Sequence, residues 1–163
     1  MVRSITLKDV SSVVNIYNHY IANAHSTFEM TALDKKEMTL RIKKVRDTFD
    51  LPWLILEDEG QVVGYAHATQ WNTRMAYSKT VETSIYIQRD FWGRGYGKKL
   101  YHVLLNDLRV RRYHAIIGGI SLPNDASVVL HKSVGFKKIA HFKEVGYKFN
   151  RWIDVGYWQL IFD

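Results

Sequence analysis

The stretch Gly93-Arg94-Gly95-Tyr96-Gly97-Lys98 constrains this chain more than any other. It follows a β-rich run, Val81 to Gln88, and precedes a helix whose apolar stripe is Leu100, Val103, Leu104 and Leu108. A strand that turns through alternating glycines into a helix leaves the first helical N–H groups unpaired and uncovered by side chains, an arrangement that suits an anion. Arg94, Lys98 and Lys99 add positive charge there. The spacing is wrong for a Walker loop, which needs Gly-Lys followed by Ser or Thr after a longer loop. It is also wrong for a dinucleotide fingerprint, which needs two residues before its last glycine and an N-terminal βαβ unit. A phosphate cradle and a plain glycine-rich turn with a basic helix start both remain open on these residues alone.

The surrounding composition narrows the partner class. With 163 residues, of which 47% are hydrophobic and 13% aromatic, the chain has the size and apolar content of one folded domain, taken as 1–163. Lys and Arg number 23 against 16 Asp and Glu, giving a formal charge of +7 and favouring an anionic partner. Such a partner is a nucleic acid, a membrane surface or a phosphorylated small molecule. Helix-turn-helix and aromatic RNA-binding patterns are missing, and the basic residues are dispersed except at Lys98-Lys99 and Arg109 to Arg112. No apolar run approaches the roughly 18 residues of a membrane span, and the expectation is a cytoplasmic protein with neither nucleic acid nor membrane as partner. There are no cysteines, which removes disulfides, thiolate zinc sites and cysteine nucleophiles together. The histidines show no paired ligand spacing, so no metal is expected.

Periodicity and punctuation give an element order. Val2 to Leu7 alternates as a strand, and Thr6 with Asp9 marks a helix start, followed by Val10, Val13, Val14, Tyr17 and Ile21 at helical spacing. Asp34 and Glu37 open a second helix carrying Met38, Ile42, Val45 and Phe49, closed by Pro52. Trp53 to Glu57 and Val62 to Thr69 form a hairpin about Asp58-Glu59-Gly60-Gln61. After the glycine loop and its helix come a strand at Ala115 to Ser121, a helix from Asn124 to Val134 ended by Gly135, and strands at Phe136 to Lys143 and Trp152 to Phe162. A loop is expected around Gly146 to Arg151. The order β-α-α-β-β-β-α-β-α-β-β predicts an α/β (α+β) domain with a mixed, mostly antiparallel sheet flanked by helices.

Several motifs in this order resemble the GNAT superfamily of N-acetyltransferases over nearly the whole chain. They are Trp92-Gly93-Arg94-Gly95-Tyr96-Gly97 after the strand Glu82 to Gln88, then Leu122-Pro123-Asn124-Asp125-Ala126-Ser127, then Leu130-His131-Lys132-Ser133-Val134-Gly135-Phe136. Ile16 to Ile21, Val81 to Ile87 and Trp152 to Gln159 make the chain most similar to the phosphinothricin and methionine sulfoximine acetyltransferase group. The resemblance implies acetyl-CoA as cosubstrate, with its pyrophosphate on the loop from Trp92 to Lys98 and its pantetheine arm along Ile85, Tyr86 and Ile87. Trp92 stands where the family usually has Gln or Arg. Asn124 matches the position that holds the pantetheine arm, with Ser127 one turn on; as a plain helix cap and first-turn residue they need no ligand.

Acyl transfer to an amine needs a neutral nucleophile, a polarised carbonyl and a proton for the departing thiolate. In the resembling group a glutamate in the context Glu82-x-Ser84-x-Tyr86 is assigned as base, and many family members place a tyrosine where this chain has His131. The plain readings are an exposed strand carboxylate and a packed helix histidine. Arg74 matches an arginine that binds the acceptor's carboxylate, while Asn72 stands where the group often has a second. Tyr77 and Phe28 complete the expected acceptor-binding set, and Tyr17, Tyr20 and Trp71 are further candidates. The resulting expectation is direct acetyl transfer to the α-amine of a small amino-acid-like acceptor by a homodimer. Other amines (a polyamine, an aminoglycoside, a protein N-terminus) and a non-catalytic acyl-CoA-binding module are the alternatives.

Overall fold

A computed structural model describes residues Met1–Asp163. Thr6 donates its backbone N–H to the Asp9 carboxylate (2.7 Å), so the expected capping pair is formed at a short turn leading into α1 (Val10–Asn23). Asp34 caps α2 (Lys35–Lys43) by accepting from the Glu37 N–H at 2.7 Å. The remaining elements are β1 (Val2–Ser4), β2 (Trp53–Asp58), β3 (Gln61–Gln70), β4 (Thr80–Ile87), α3 (Tyr96–Val110), β5 (Ala115–Leu122), α4 (Asp125–Ser133), β6 (Lys137–Lys148) and β7 (Arg151–Ile161).

The sequence-derived element order holds throughout, with three differences of extent, one being that the second helix passes after Lys43 into a π-helical turn over Lys44–Thr48. β1 stops at Ser4, because Thr6 is committed to the cap. The segment read as a loop around Gly146 to Arg151 is strand up to Lys148, and only Phe149 and Asn150, both at positive φ, make the turn. Gly146 suggested a break; it is instead a packing gap, since a Cβ there would lie 2.3 Å from the Phe28 ring.

Seven strands form one sheet in the order β1-β2-β3-β4-β5-β7-β6. Every neighbouring pair is antiparallel except β4 and β5. That parallel pairing is brief: Thr80, Val81 and Glu82 face Ala115, Ile116 and Ile117, and then the strands part. β4 continues to Ile87 and β5 to Leu122 with their facing edges unpaired. Val13, Val14, Ile55, Tyr65, Ala66, Leu100, Leu104 and Leu108 are among the 28 buried residues of one continuous core. The parting of β4 and β5 is therefore a local opening in a well-packed sheet.

Candidate active site

A cavity of about 670 Å³ occupies the opening between β4 and β5. Its lining includes Glu82 and Thr83 to Ile87 on one side, Gly119 to Ser121 on the other, and Trp92, Gly93, Gly95, Tyr96, Gly97 and Lys98 at the glycine loop. Asn124, Ser127 and His131 of α4 close it. The site residues expected on β4, the loop and α4 thus meet at one place, with Arg94 the exception. Its guanidinium lies over the Phe91 ring at 4.8 Å and reaches the Asp90 carbonyl, at the rim.

The geometry of the loop suits a backbone-lined anion site. Gly93 and Gly95 both take φ +75°, and a Cβ on either would meet nothing within 4 Å. Both positions need the left-handed conformation and leave open space in front of the amides at the start of α3. Gly97 serves packing, because its Cβ would lie 3.1 Å from Leu130 Cδ2 on α4. Trp92 donates its indole N–H to the Ile87 carbonyl at 2.9 Å, which fastens the loop to the end of β4. Asn124 accepts from the Ser127 N–H at 3.1 Å as helix cap, and its amide N–H reaches Ser26 Oγ at 3.4 Å across the cavity wall.

Glu82 stands where β4 leaves β5. Its Oε1 lies against Gly119, where a Cβ would be 3.1 Å away, and the Tyr157 ring is equally near that glycine. Burial alone pushes the Glu82 carboxyl pKa upward. Tyr157 packs edge-on to Trp71 at 5.7 Å and to Phe142 at 5.6 Å, so the base candidate sits beside an aromatic wall. The neighbouring glycine, Gly118, makes room on the opposite face for His131, whose Nε2 would be 2.6 Å from a Cβ.

His131 is buried, and its ring is held at both ends. Nδ1 is 2.7 Å from the Ser127 carbonyl, to which it must donate, and Nε2 is 2.9 Å from the Tyr101 hydroxyl. Burial lowers its pKa, and in the neutral ring with Nδ1 protonated Nε2 accepts from the Tyr101 hydroxyl, which Thr83 Oγ1 meets at 2.8 Å. No ring proton faces the cavity.

The expected acceptor-binding residues lie apart from this cavity. Arg74 and Tyr77 are exposed on a short turn, with no ion pair formed by Arg74, and Phe28 is packed on Gly146 of β6. Trp71, Asn72 and Thr73, just before that turn, line a second cavity of about 470 Å³ under α2, which shares Ser84 and Tyr86 with the first. Lys148 went unnoticed in the sequence. It is 2% exposed and donates to the Ala24 and Thr27 carbonyls at 2.8 and 2.9 Å, fixing the loop that presents Ser26 to the cavity. Nothing in its local pattern separates it from a solvated strand lysine.

The chain matches the acetyltransferase (GNAT) domain family over residues 2–156. It is 35% identical over 162 residues to phosphinothricin N-acetyltransferase of Streptomyces viridochromogenes, covering 99% of this chain and 87% of the relative. It is 33% identical over 155 residues to L-methionine sulfoximine/L-methionine sulfone acetyltransferase of Salmonella typhimurium, covering 95% and 90%. Among solved structures, a GNAT superfamily phosphinothricin acetyltransferase from Sinorhizobium meliloti in complex with acetyl-CoA superposes with TM-score 0.95 at 30% identity, covering 99% and 87%. A ribosomal-protein-alanine N-acetyltransferase from Brucella melitensis superposes with TM-score 0.96 at 33% identity, covering 99% of each chain. On its sequence and its fold, the chain belongs to the GNAT acetyltransferase family.

Proposed function

We propose that this acetyltransferase moves the acetyl group of acetyl-CoA directly to the α-amine of a small amino-acid-like acceptor, with Glu82 as general base. The observation that carries the reading is the position of Glu82, a half-buried carboxylate at the point where the sheet opens, in the cavity shared with the glycine loop. Backbone amides at Gly93 to Lys98 suit the pyrophosphate, and the free edge from Thr83 to Ile87 suits the amide-rich pantetheine arm, with Asn124 and Ser127 alongside. A primary amine is mostly protonated at neutral pH. Glu82 takes that proton, directly or through water, the neutral nitrogen bonds to the carbonyl carbon, the C–S bond breaks, and the further proton that the nitrogen sheds passes through water to the departing thiolate, which leaves as the free thiol of CoA. A backbone N–H near Ile85 to Ile87, on the stretch of β4 that does not pair with β5, stabilises the oxyanion in this reading. We assign His131 to positioning: it holds the Tyr101 hydroxyl, which meets Thr83 of β4, and both of its ring nitrogens are engaged within the protein.

Arg74 reads the acceptor's carboxylate, supported by its lack of an ion pair and by its place in the chain directly after Trp71 to Thr73 of the second cavity; Tyr77 is exposed on the same turn and Phe28 packs on Gly146. The test compares kcat/KM for amino acids and their decarboxylated amines. Amino acids are expected to be better substrates, and Arg74→Ala is expected to cost them roughly 10-fold, the order of one lost charged hydrogen bond, and the amines little. Preference for carboxylate-free amines, or for a peptide N-terminus, overturns the reading.

The acting species is a cytoplasmic homodimer, in the compartment that supplies acetyl-CoA. Its support is the sheet edge: Ile139, Phe142, Val145 and Tyr147 of β6, Phe149 of the turn and Trp152 of β7 are all at least half exposed. Such an apolar edge is usually covered. Sedimentation velocity is expected to give twice the chain mass, and Trp152→Glu to shift it toward the monomer.

A further inference from the structure

Acetyl transfer as proposed above leaves one proton without a route. An acceptor that enters as an ammonium loses two protons on becoming an amide. One ends on the CoA sulfur, and the other, held by Glu82, must reach solvent before the next turnover. Glu82 stands where the sheet opens, and burial raises its pKa, so it holds that proton more tightly than an exposed carboxylate does. With acetyl-CoA and an acceptor both seated the cavity is filled, and the proton has to leave along its wall.

That wall carries a polar pair which the reaction has not yet used. Positions 119 and 121 of β5 fall on one face, and Glu82 lies on that face, its Oε1 being 3.1 Å from where a Gly119 Cβ would be. Ser121, two residues and roughly 7 Å further along the strand, also lines the cavity. It is 7% exposed, and its Oγ is 3.0 Å from Nδ1 of His25. His25 is only partly buried, on the loop that follows α1. The pair therefore joins the interior to the surface, with a buried hydroxyl at the inner end and an imidazole at the outer. Its loop is fixed in place: Lys148 bonds the carbonyls of Ala24 and Thr27 on either side of His25, and Asn124 reaches the Ser26 hydroxyl.

A serine hydroxyl accepts a proton on its oxygen while giving up its own, and an imidazole accepts at one nitrogen and releases from the other. We propose that Ser121 and His25 form the relay that carries the Glu82 proton to solvent. The relay rests on Glu82 as base and says where its proton goes. The ring that serves it carries its proton on Nε2 and leaves Nδ1 bare. Glu82 passes its proton to a water, the water protonates Ser121 Oγ, the hydroxyl proton moves to His25 Nδ1, and the imidazolium gives up a proton to solvent, where exchange restores the Nε2–H form. Glu82 is then ionised for the next ammonium. Burial, and after it the charges of Arg151 and Lys148, lower the His25 pKa, against a smaller opposing pull from the backbone carbonyls of His25 and Pro123. A ring so placed hands a proton on instead of keeping it.

Chemical rescue tests the relay, using the best amino-acid acceptor of the comparison above and a dilute buffer. His25→Gln and Ser121→Ala are each expected to lower kcat about 10-fold or more and to leave the KM for acetyl-CoA unchanged. Added imidazole, a mobile proton carrier, is expected to return most of the rate of His25→Gln, read as acetylated product, and to leave the wild type unaffected. A pair that only braces the loop would lose rate without rescue. A second measurement needs no turnover. In the ¹⁵N-labelled wild type, long-range ¹⁵N–¹H correlations are expected to show His25 as the Nε2–H tautomer, with His25→Gln used only to assign the ring. An unchanged kcat in both variants, a loss that imidazole does not repair, or a His25 ring protonated on Nδ1 overturns the relay. Failure of the Glu82 reading itself looks different: Glu82→Gln then keeps its rate, whatever the His25 and Ser121 variants do.

Discussion

Replacing Glu82 by glutamine is expected to lower kcat/KM by about 10²-fold or more at neutral pH, with acetyl-CoA affinity nearly unchanged. The amide keeps the volume beside Gly119 and Tyr157 and loses the ability to take a proton. The pH profile gives the sharper check. Burial raises the Glu82 pKa, and the ionised form is the active one, so the wild-type rate falls as pH drops through a value above the usual glutamate range. That limb is expected to vanish in Glu82→Gln. Stability moves the other way. In the folded chain the carboxyl keeps its proton to a higher pH than in the unfolded chain, so its stabilising contribution is complete below the unfolded pKa and is lost as pH rises through the folded one. At neutral pH the ionised group therefore opposes folding, and the glutamine variant is expected to melt higher while turning over more slowly. A near-normal rate, or a lower melting temperature, removes Glu82 from the role.

The second large effect belongs to the loop. Gly95→Val is expected to weaken acetyl-CoA binding about 10- to 100-fold and to leave the far-ultraviolet circular dichroism unchanged. Gly95 sits at φ +75°, where a β-branched residue is strained, and the new side chain would project into the open space before the amides. Calorimetry with CoA and acetyl-CoA reads this directly. Affinity should also fall with added salt, since the ligand is polyanionic and the loop is basic. Unchanged affinity would mean that the phosphates are held elsewhere.

The order of elements was legible because this chain punctuates itself clearly. Asp9, Asp34 and Asn124 start helices, Gly135 stops one, and Thr80 to Ser84 alternates between faces. Gly146 misled, because a glycine that makes room for Phe28 and a glycine that turns the chain look alike in one dimension. That Gly93 to Lys98 and Glu82 share a cavity was equally legible, since the loop is a contiguous signal and directly follows the strand that carries Glu82. The second cavity, under α2, was not. Trp53 and His67 read as ordinary members of two β runs, and only their pairing across the sheet beside Ser84 brings two unpartnered nitrogens to one cavity. The tandem Gly118-Gly119 is similar: its meaning lies in His131 on one face and Glu82 on the other.

The short parallel pairing of Thr80–Glu82 with Ala115–Ile117 has a mechanical reading as well. Four strands lie on one side of that seam and three on the other, and within the sheet only those three residue pairs join them. A ligand that bonds the free edge of β4 and lies against β5 acts as a keystone, completing a span that the polypeptide leaves unfinished. Stiffness across the sheet is then borrowed from a substrate. Under the proposed reaction, taking in acetyl-CoA would tighten, and letting CoA go would slacken, the frame around Glu82.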